Sequence, residues 1–292
     1  MSARLPAGRE QTVGLALGGG GARGLAHLHV LQAFDDLGLR PAAIAGSSIG
    51  AIMGAGLASG MAAAAIREWT LDAFAGPRQV MGRLWASRPA SFAAFRADGG
   101  VRLGQLNAER LLAAFLPPPL VDLDLDALPV PLVVTATDFY ARQEVAIETG
   151  PLVSALAASA ALPAVFRPVR RDGAVLIDGG IYNPLPFDRL KGRCGVTVAV
   201  DLNGGPEGGP DRLPTPFEAA VGGSQLMQQS IIETKLKADP PDILFRPPVS
   251  RWRVLDFMKA REILAETEPL REEVKRSLGD MLDRPVRASP MA

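Results

Sequence analysis

The chain is short of the side chains that most enzymes use for acid–base and metal chemistry. Among 292 residues it has two histidines, His27 and His29, and one cysteine, Cys194. One cysteine closes no internal disulfide and offers no thiol-based metal site, which points to a reducing, cytoplasmic setting. The two histidines stand two positions apart, so on a helix they point to different sides and cannot chelate one metal. Packing or a surface position is their expected role, with one of them free to support a neighbouring glycine loop. Lysine plus arginine and aspartate plus glutamate balance at 31 each, which removes the electrostatic case for nucleic acid. Residues 1–12 are polar and lack the apolar core of a signal peptide. They read as a flexible segment ahead of one domain over 13–292.

Apolar residues make up 48% of the chain, enough for a sizeable core. The longest charge-free run, Ala42–Ile66, is long enough to span a bilayer. Its composition argues otherwise, because alanine, glycine and serine insert poorly beside leucine or phenylalanine. A strand, a sharp turn and a buried helix is the better reading. Elsewhere short apolar runs alternate with helical stretches. Val13–Leu17, Ala42–Ala45, Leu132–Ala136, Val175–Asp178 and Val196–Asp201 read as strands, and Glu144–Glu148 as a segment that pairs nearby. Helices are expected over Leu25–Leu37, from Ser48, within Glu68–Leu116 with Asn107 as a cap, and within Pro151–Phe166 up to Pro163. The stretch 204–216, rich in glycine and proline, reads as an exposed loop. A helical C-terminal part follows over 217–283, with Pro269 opening a new helix. Alternating strand and helix predicts an α/β fold with a mostly parallel central sheet flanked by helices.

Three motifs carry chemistry. Gly18-Gly19-Gly20-Gly21-Ala22-Arg23-Gly24 lies between a strand and a helix, where glycines let backbone N–H groups converge on an anion. It contains the dinucleotide-binding spacing Gly19-x-Gly21-x-x-Gly24, yet the second strand ends without the acid that would hold a ribose. Gly46-Ser47-Ser48-Ile49-Gly50 sets Ser48 at a strand-to-helix turn, the setting of an exposed nucleophile. Asp178-Gly179-Gly180 closes an apolar strand with a partly desolvated carboxylate. Both histidines precede Ser48, whereas a hydrolase triad of this kind places its histidine after the nucleophile. Together the motifs supply an acyl-transfer site with Ser48 as nucleophile, Asp178 as base and the glycine loop as oxyanion hole.

This ordered set resembles the patatin-like phospholipases, a family marked by G-G-G-x-R/K-G, G-x-S-x-G and D-G-A/G. The resemblance runs from about Val13 to Asp201 and includes Ala158-Ser159-Ala160-Ala161-Leu162-Pro163 and Tyr182-Asn183-Pro184. It implies a patatin-like three-layer fold and a Ser48–Asp178 dyad without cofactor or metal. It also implies an oxyanion hole at Gly19, Gly20, Gly21 and Arg23, with Gly24, Gly46, Gly50, Gly179 and Gly180 as motif glycines. The implied activity is serine acyl hydrolysis of lipid esters of the phospholipid or lysophospholipid class. The partners are then a lipid or acyl-ester substrate and a membrane surface touched peripherally.

Three other readings stay open on the residues. They are a carboxylesterase or thioesterase for soluble acyl esters, a dinucleotide-binding oxidoreductase, and a weakly active lipid-binding protein. Two arginine–aromatic segments allow either an interfacial lid for anionic lipid or solvated helices over a buried aromatic stripe. One holds Arg78, Arg83, Trp85, Arg88, Phe92, Phe95 and Arg96. The other holds Arg246, Arg251, Trp252, Arg253, Phe257 and Met258. Cys194 reads as a small buried residue.

Overall fold

The structure, a computed structural model, describes residues 12–86, 106–206, 209 and 211–282. Strands β1 (Val13–Leu17), β2 (Ala43–Ser47), β3 (Leu132–Asp138), β7 (Val196–Val200) and β8 (Ile243–Phe245) run parallel in the order β3-β2-β1-β7-β8. β4 (Gln143–Ile147) and β6 (Ala174–Asp178) join β3 antiparallel, and β5 (Val169–Arg171) pairs with β6. The expected mostly parallel α/β sheet is therefore present, with an antiparallel margin.

Alternation along the strands sorts residues to two faces. Leu15, Leu17, Ile44, Val134, Val198 and Val200 join one large cluster. It includes residues of α1 (His27–Asp36), α2 (Ile49–Ala58) and α7 (Leu152–Ser159). The intervening Ala16, Ala45, Val133 and Ala199 face a smaller cluster with Leu185, Phe187, Leu190 and Ile232. Ile232 belongs to α8 (Pro216–Ala238), which starts on a Thr215–Glu218 capping box. Both faces of the central strands are covered, which explains their near-continuous apolar sequences.

The charge-free run 42–66 breaks into β2, a turn, α2 and the start of α3 (Ala63–Ala73). Among the described residues no helix is long and apolar enough to cross a membrane. Asn107 caps α5 (Ala108–Phe115) as expected, accepting from the Arg110 amide at 2.9 Å. Pro118 then opens the single turn α6 (Pro118–Val121). Pro269 begins α10 (Pro269–Leu282), directly after α9 (Ala260–Thr267). Three details differ from expectation. Residues 21–26 form a 3-10 turn, so α1 starts at His27 and not at Leu25. α7 ends at Ser159, ahead of Pro163, because the chain turns there and the Ala161 carbonyl accepts the Asp178 amide at 3.1 Å. β5 and β8 have three residues each, too few to show a period, and β8 interrupts the helical C-terminal part. The N-terminal segment, apart from Thr12, lies outside the described residues.

One feature of the sheet positions the site. β3 pairs with β2 through Ser47↔Thr135 and with β6 from Ala136↔Asp178 onward. β4 pairs across both stretches, from Val134 to Asp138, so it occupies the other edge. β2 and β6 therefore share one edge of β3 and run toward each other. Their C-terminal ends, Ser47 and Asp178, sit at successive register positions.

Candidate active site

Ser48 follows β2 with φ 54° and ψ −124°, a strained conformation for a residue with a Cβ. The turn is tight enough that a Cβ on Gly50 would lie 2.1 Å from the Leu17 carbonyl oxygen. One on Gly46 would lie 2.5 Å from Ala51 Cα. The G-x-S-x-G spacing is thus a packing requirement of the turn that exposes Ser48. The Ser48 amide donates to Ser159 Oγ at 2.8 Å, across from the end of α7. Ser159 is fully buried, and sequence reasoning gave it no role. The available signal was a serine closing an alanine-rich helix.

Ser48 Oγ donates to Asp178 Oδ2 at 2.8 Å. Asp178 Oδ1 accepts the Gly180 amide at 2.7 Å, and Thr137 Oγ1 donates to the Asp178 carbonyl at 2.9 Å. Gly179 packs where a Cβ would come within 2.1 Å of the Thr135 carbonyl oxygen. Asp178 is 4% exposed. Burial pushes its carboxyl up to about 6, against the pull of the Ser48 and Gly180 hydrogen bonds.

The glycine loop approaches the pair from β1. Gly18 and Gly19 donate to the carbonyls of Val200 and Pro184, each at 3.0 Å, and Ala22 donates to Val254 at 2.8 Å. Among the described residues, the amides of Gly20 and Gly21 have no backbone acceptor. Both residues line the same cavity as Ser48 and Asp178. Gly21 has φ 60°, and Gly24 packs against Ile49 at a distance no side chain would allow. Arg23 is buried, its Nε donating to the Trp252 carbonyl at 2.5 Å. The 252–254 segment therefore closes over the loop, and the dinucleotide-like spacing builds a covered 3-10 turn. His27 contacts the Gly18 carbonyl through Nε2 at 2.9 Å. Burial lowers its pKa to about 4, so it serves the loop as a neutral donor. His29 reaches the Leu264 carbonyl instead, and Cys194 is buried.

The cavity in front of Ser48 has a volume of about 290 Å³. Ile52, Met53, Trp69, Leu112 and Phe115 line it, with Phe74 stacked between Phe115 and Phe257. Part of the first arginine–aromatic segment belongs to the wall behind it. Arg83, in α4 (Pro77–Ala86), stacks on Trp69, donates to the Ala114 carbonyl at 2.9 Å and pairs with Asp72. Arg78 is exposed, and Arg88, Phe92, Phe95 and Arg96 lie outside the described residues. In the second segment Trp252 is buried, while Arg246 pairs with Asp201 and Glu233, and Arg251 with Glu266. Met258 and Arg253 are exposed.

Fold and site together define an α/β protein with a strained serine hydrogen-bonded to a buried aspartate at two converging strand ends. Residues 15–191 match the family model of the patatin-like phospholipases, and the chain belongs to that family. An uncharacterized NTE family protein of Mycobacterium tuberculosis is 39% identical over 209 residues, covering 70% of this chain and 52% of that protein. The lysophospholipase NTE1 of Saccharomyces cerevisiae is 25% identical, over 87% of this chain and 16% of its own length. This chain thus spans about half the length of the mycobacterial relative. Human group IVD cytosolic phospholipase A2, solved with a fluorophosphonate inhibitor, aligns over 93% of this chain and 58% of its own at 14% identity and a TM-score of 0.43.

Proposed function

We propose that this protein is a serine hydrolase that cleaves acyl esters of lipids through an acyl-enzyme on Ser48. The observation that carries the reading is the 2.8 Å hydrogen bond from Ser48 Oγ to Asp178 Oδ2. In this mechanism Asp178 takes the hydroxyl proton as Oγ attacks the ester carbonyl. Unlike a triad aspartate it becomes protonated, and a pKa near 6 makes that transfer accessible. The amides of Gly20 and Gly21 receive the developing oxyanion. Gly19, bonded to Pro184, and Arg23, bonded to Trp252, hold the loop in place. Collapse of the tetrahedral intermediate breaks the ester C–O bond, and Asp178 returns its proton to the leaving alcohol. Water, deprotonated by Asp178, then attacks the acyl-enzyme and releases the fatty acid and Ser48.

An apolar cavity beside the nucleophile favours a fatty acyl chain over the short soluble acyl esters of the esterase reading. Relatives named as phospholipases and lysophospholipases support the lipid class. The deciding experiment pairs a fluorophosphonate probe with an ester panel running from short acyl chains to lysophospholipids and phospholipids. Wild type should be labelled and should turn over the long-chain esters, and Ser48→Ala should do neither. Equal labelling of both proteins would remove Ser48 from the mechanism.

A further inference from the structure

One stretch of α8 departs from the usual arrangement of an amphipathic helix, although Ile232 further along packs into the smaller cluster. Leu226 and Met227 face solvent, 52% and 64% exposed, whereas Gln225 on the inner side is only 7% exposed. Val221, Ser224, Gln225 and Gln228 lie three, four and seven positions apart, on one helical stripe, and all line the cavity that holds Ser48 and Asp178. Among the described residues, neither the Gln225 nor the Gln228 carboxamide is hydrogen-bonded to another protein group, although Asn203 Nδ2 ties the Gln225 carbonyl down at 3.2 Å. Both carboxamides are reachable from the cavity and neither is tied to another protein group, so the hydroxyls of a ligand can complete them.

The position of the stripe says which part of a ligand it would meet. Gln228 Nε2 lies 3.2 Å, and Asp178 Oδ1 2.9 Å, from the point a Cβ on Gly180 would occupy. The leaving oxygen must come within reach of Asp178 to collect its proton. Substituents next to that oxygen therefore lie beside Gln228, while the acyl chain takes the apolar wall formed by α2, α3 and α5. Among the described cavity-lining residues the ionisable ones are Asp178 and Arg23, and Arg23 is engaged by Trp252. The leaving-group side is thus built from neutral amide and hydroxyl groups, suited to hydroxyls more than to phosphate or ammonium.

We propose that Gln225 and Gln228 form a leaving-group subsite that selects an alcohol half with a free hydroxyl next to the ester, as in a monoacylated glycerol. The inference rests on the hydrolase reading above. An alcohol half lacking that hydroxyl would occupy the subsite without giving either amide a partner.

The test compares a 1-monoacylglycerol with the propyl ester of the same fatty acid, which shares its carbon skeleton and lacks its two hydroxyls. Both are presented in detergent micelles of one composition. Wild type should favour the glyceryl ester by roughly tenfold or more in kcat/KM, as expected for a buried hydrogen-bond pair. Gln225→Met and Gln228→Met should each lower that value by roughly tenfold while leaving the propyl ester within about twofold. Gln228→Asn, which keeps the amide but withdraws it, should fall between them and guards against a misfolded methionine variant. Equal losses on both esters, or a wild type without preference, would overturn the subsite and leave the hydrolase reading intact. Absence of Ser48-dependent hydrolysis of either ester would overturn both.

Discussion

Replacing Asp178 by asparagine should separate the chemistry of the site from its stability, because the two move in opposite directions. In the folded protein the Asp178 carboxyl sits at about 6, raised from an ordinary 3.8 chiefly by burial. The folded state therefore holds the proton more tightly than the unfolded chain. Stability contributed by this group is complete below about pH 4 and is lost as pH rises toward and through about 6. At 1.36 kcal/mol per unit, the ionised carboxylate destabilises the protein at pH 8 by about 3 kcal/mol. Asparagine has nearly the same shape, and its oxygen can still accept the Gly180 amide while its nitrogen donates to Ser48 Oγ. Urea unfolding from pH 4 to pH 8 should show Asp178→Asn and wild type converging at the acid end. The variant should become more stable by up to about 3 kcal/mol at the alkaline end. At pH 8, where the wild-type carboxylate is ionised, ester hydrolysis by the variant should be lower by roughly 10²–10⁴, the usual contribution of a general base. A stability difference that is flat with pH, or an asparagine variant with wild-type turnover, would refute the reasoning at its root.

Two further outcomes follow from the same geometry. The base must be ionised to accept the Ser48 proton, so kcat/KM should rise with unit slope through about pH 6, and a profile with its limb at pH 4 would deny Asp178 that role. Ser159→Ala should leave the half-buried Ser48 amide without its acceptor and lower kcat/KM by up to roughly tenfold with the pH limb unmoved, in line with a hydrogen bond worth about 0.5–1.5 kcal/mol; unchanged kinetics would make Ser159 a packing residue only.

Most of the site was legible in the residues because its parts are local. A glycine-framed serine, a glycine-rich turn and a strand-ending aspartate each advertise themselves within a few positions, and each lies at the end of a strand whose apolar run marks it. The absence of a histidine after Ser48 had already pointed away from a triad. What escaped reading depends on contacts between distant segments. Ser159 is 111 positions from the amide it accepts, and Gly19 meets Pro184 far along the chain. Periodicity says nothing of such pairs, nor of strands three residues long.

The inward amides of α8 escaped for a related reason. Pattern reading assigns glutamine to the solvated side of a helix, and only the fold reveals that this helix turns Gln225 and Gln228 to a cavity. The exchange of partners along β3 is the step that joins the two kinds of information. Because β2 gives way to β6 between Thr135 and Ala136, two strands from distant parts of the chain end face to face. A serine held at one end and a carboxylate at the other then meet at 2.8 Å without a third residue to bridge them. On the proposed mechanism it is this exchange of strands along β3 that brings the base directly to the nucleophile.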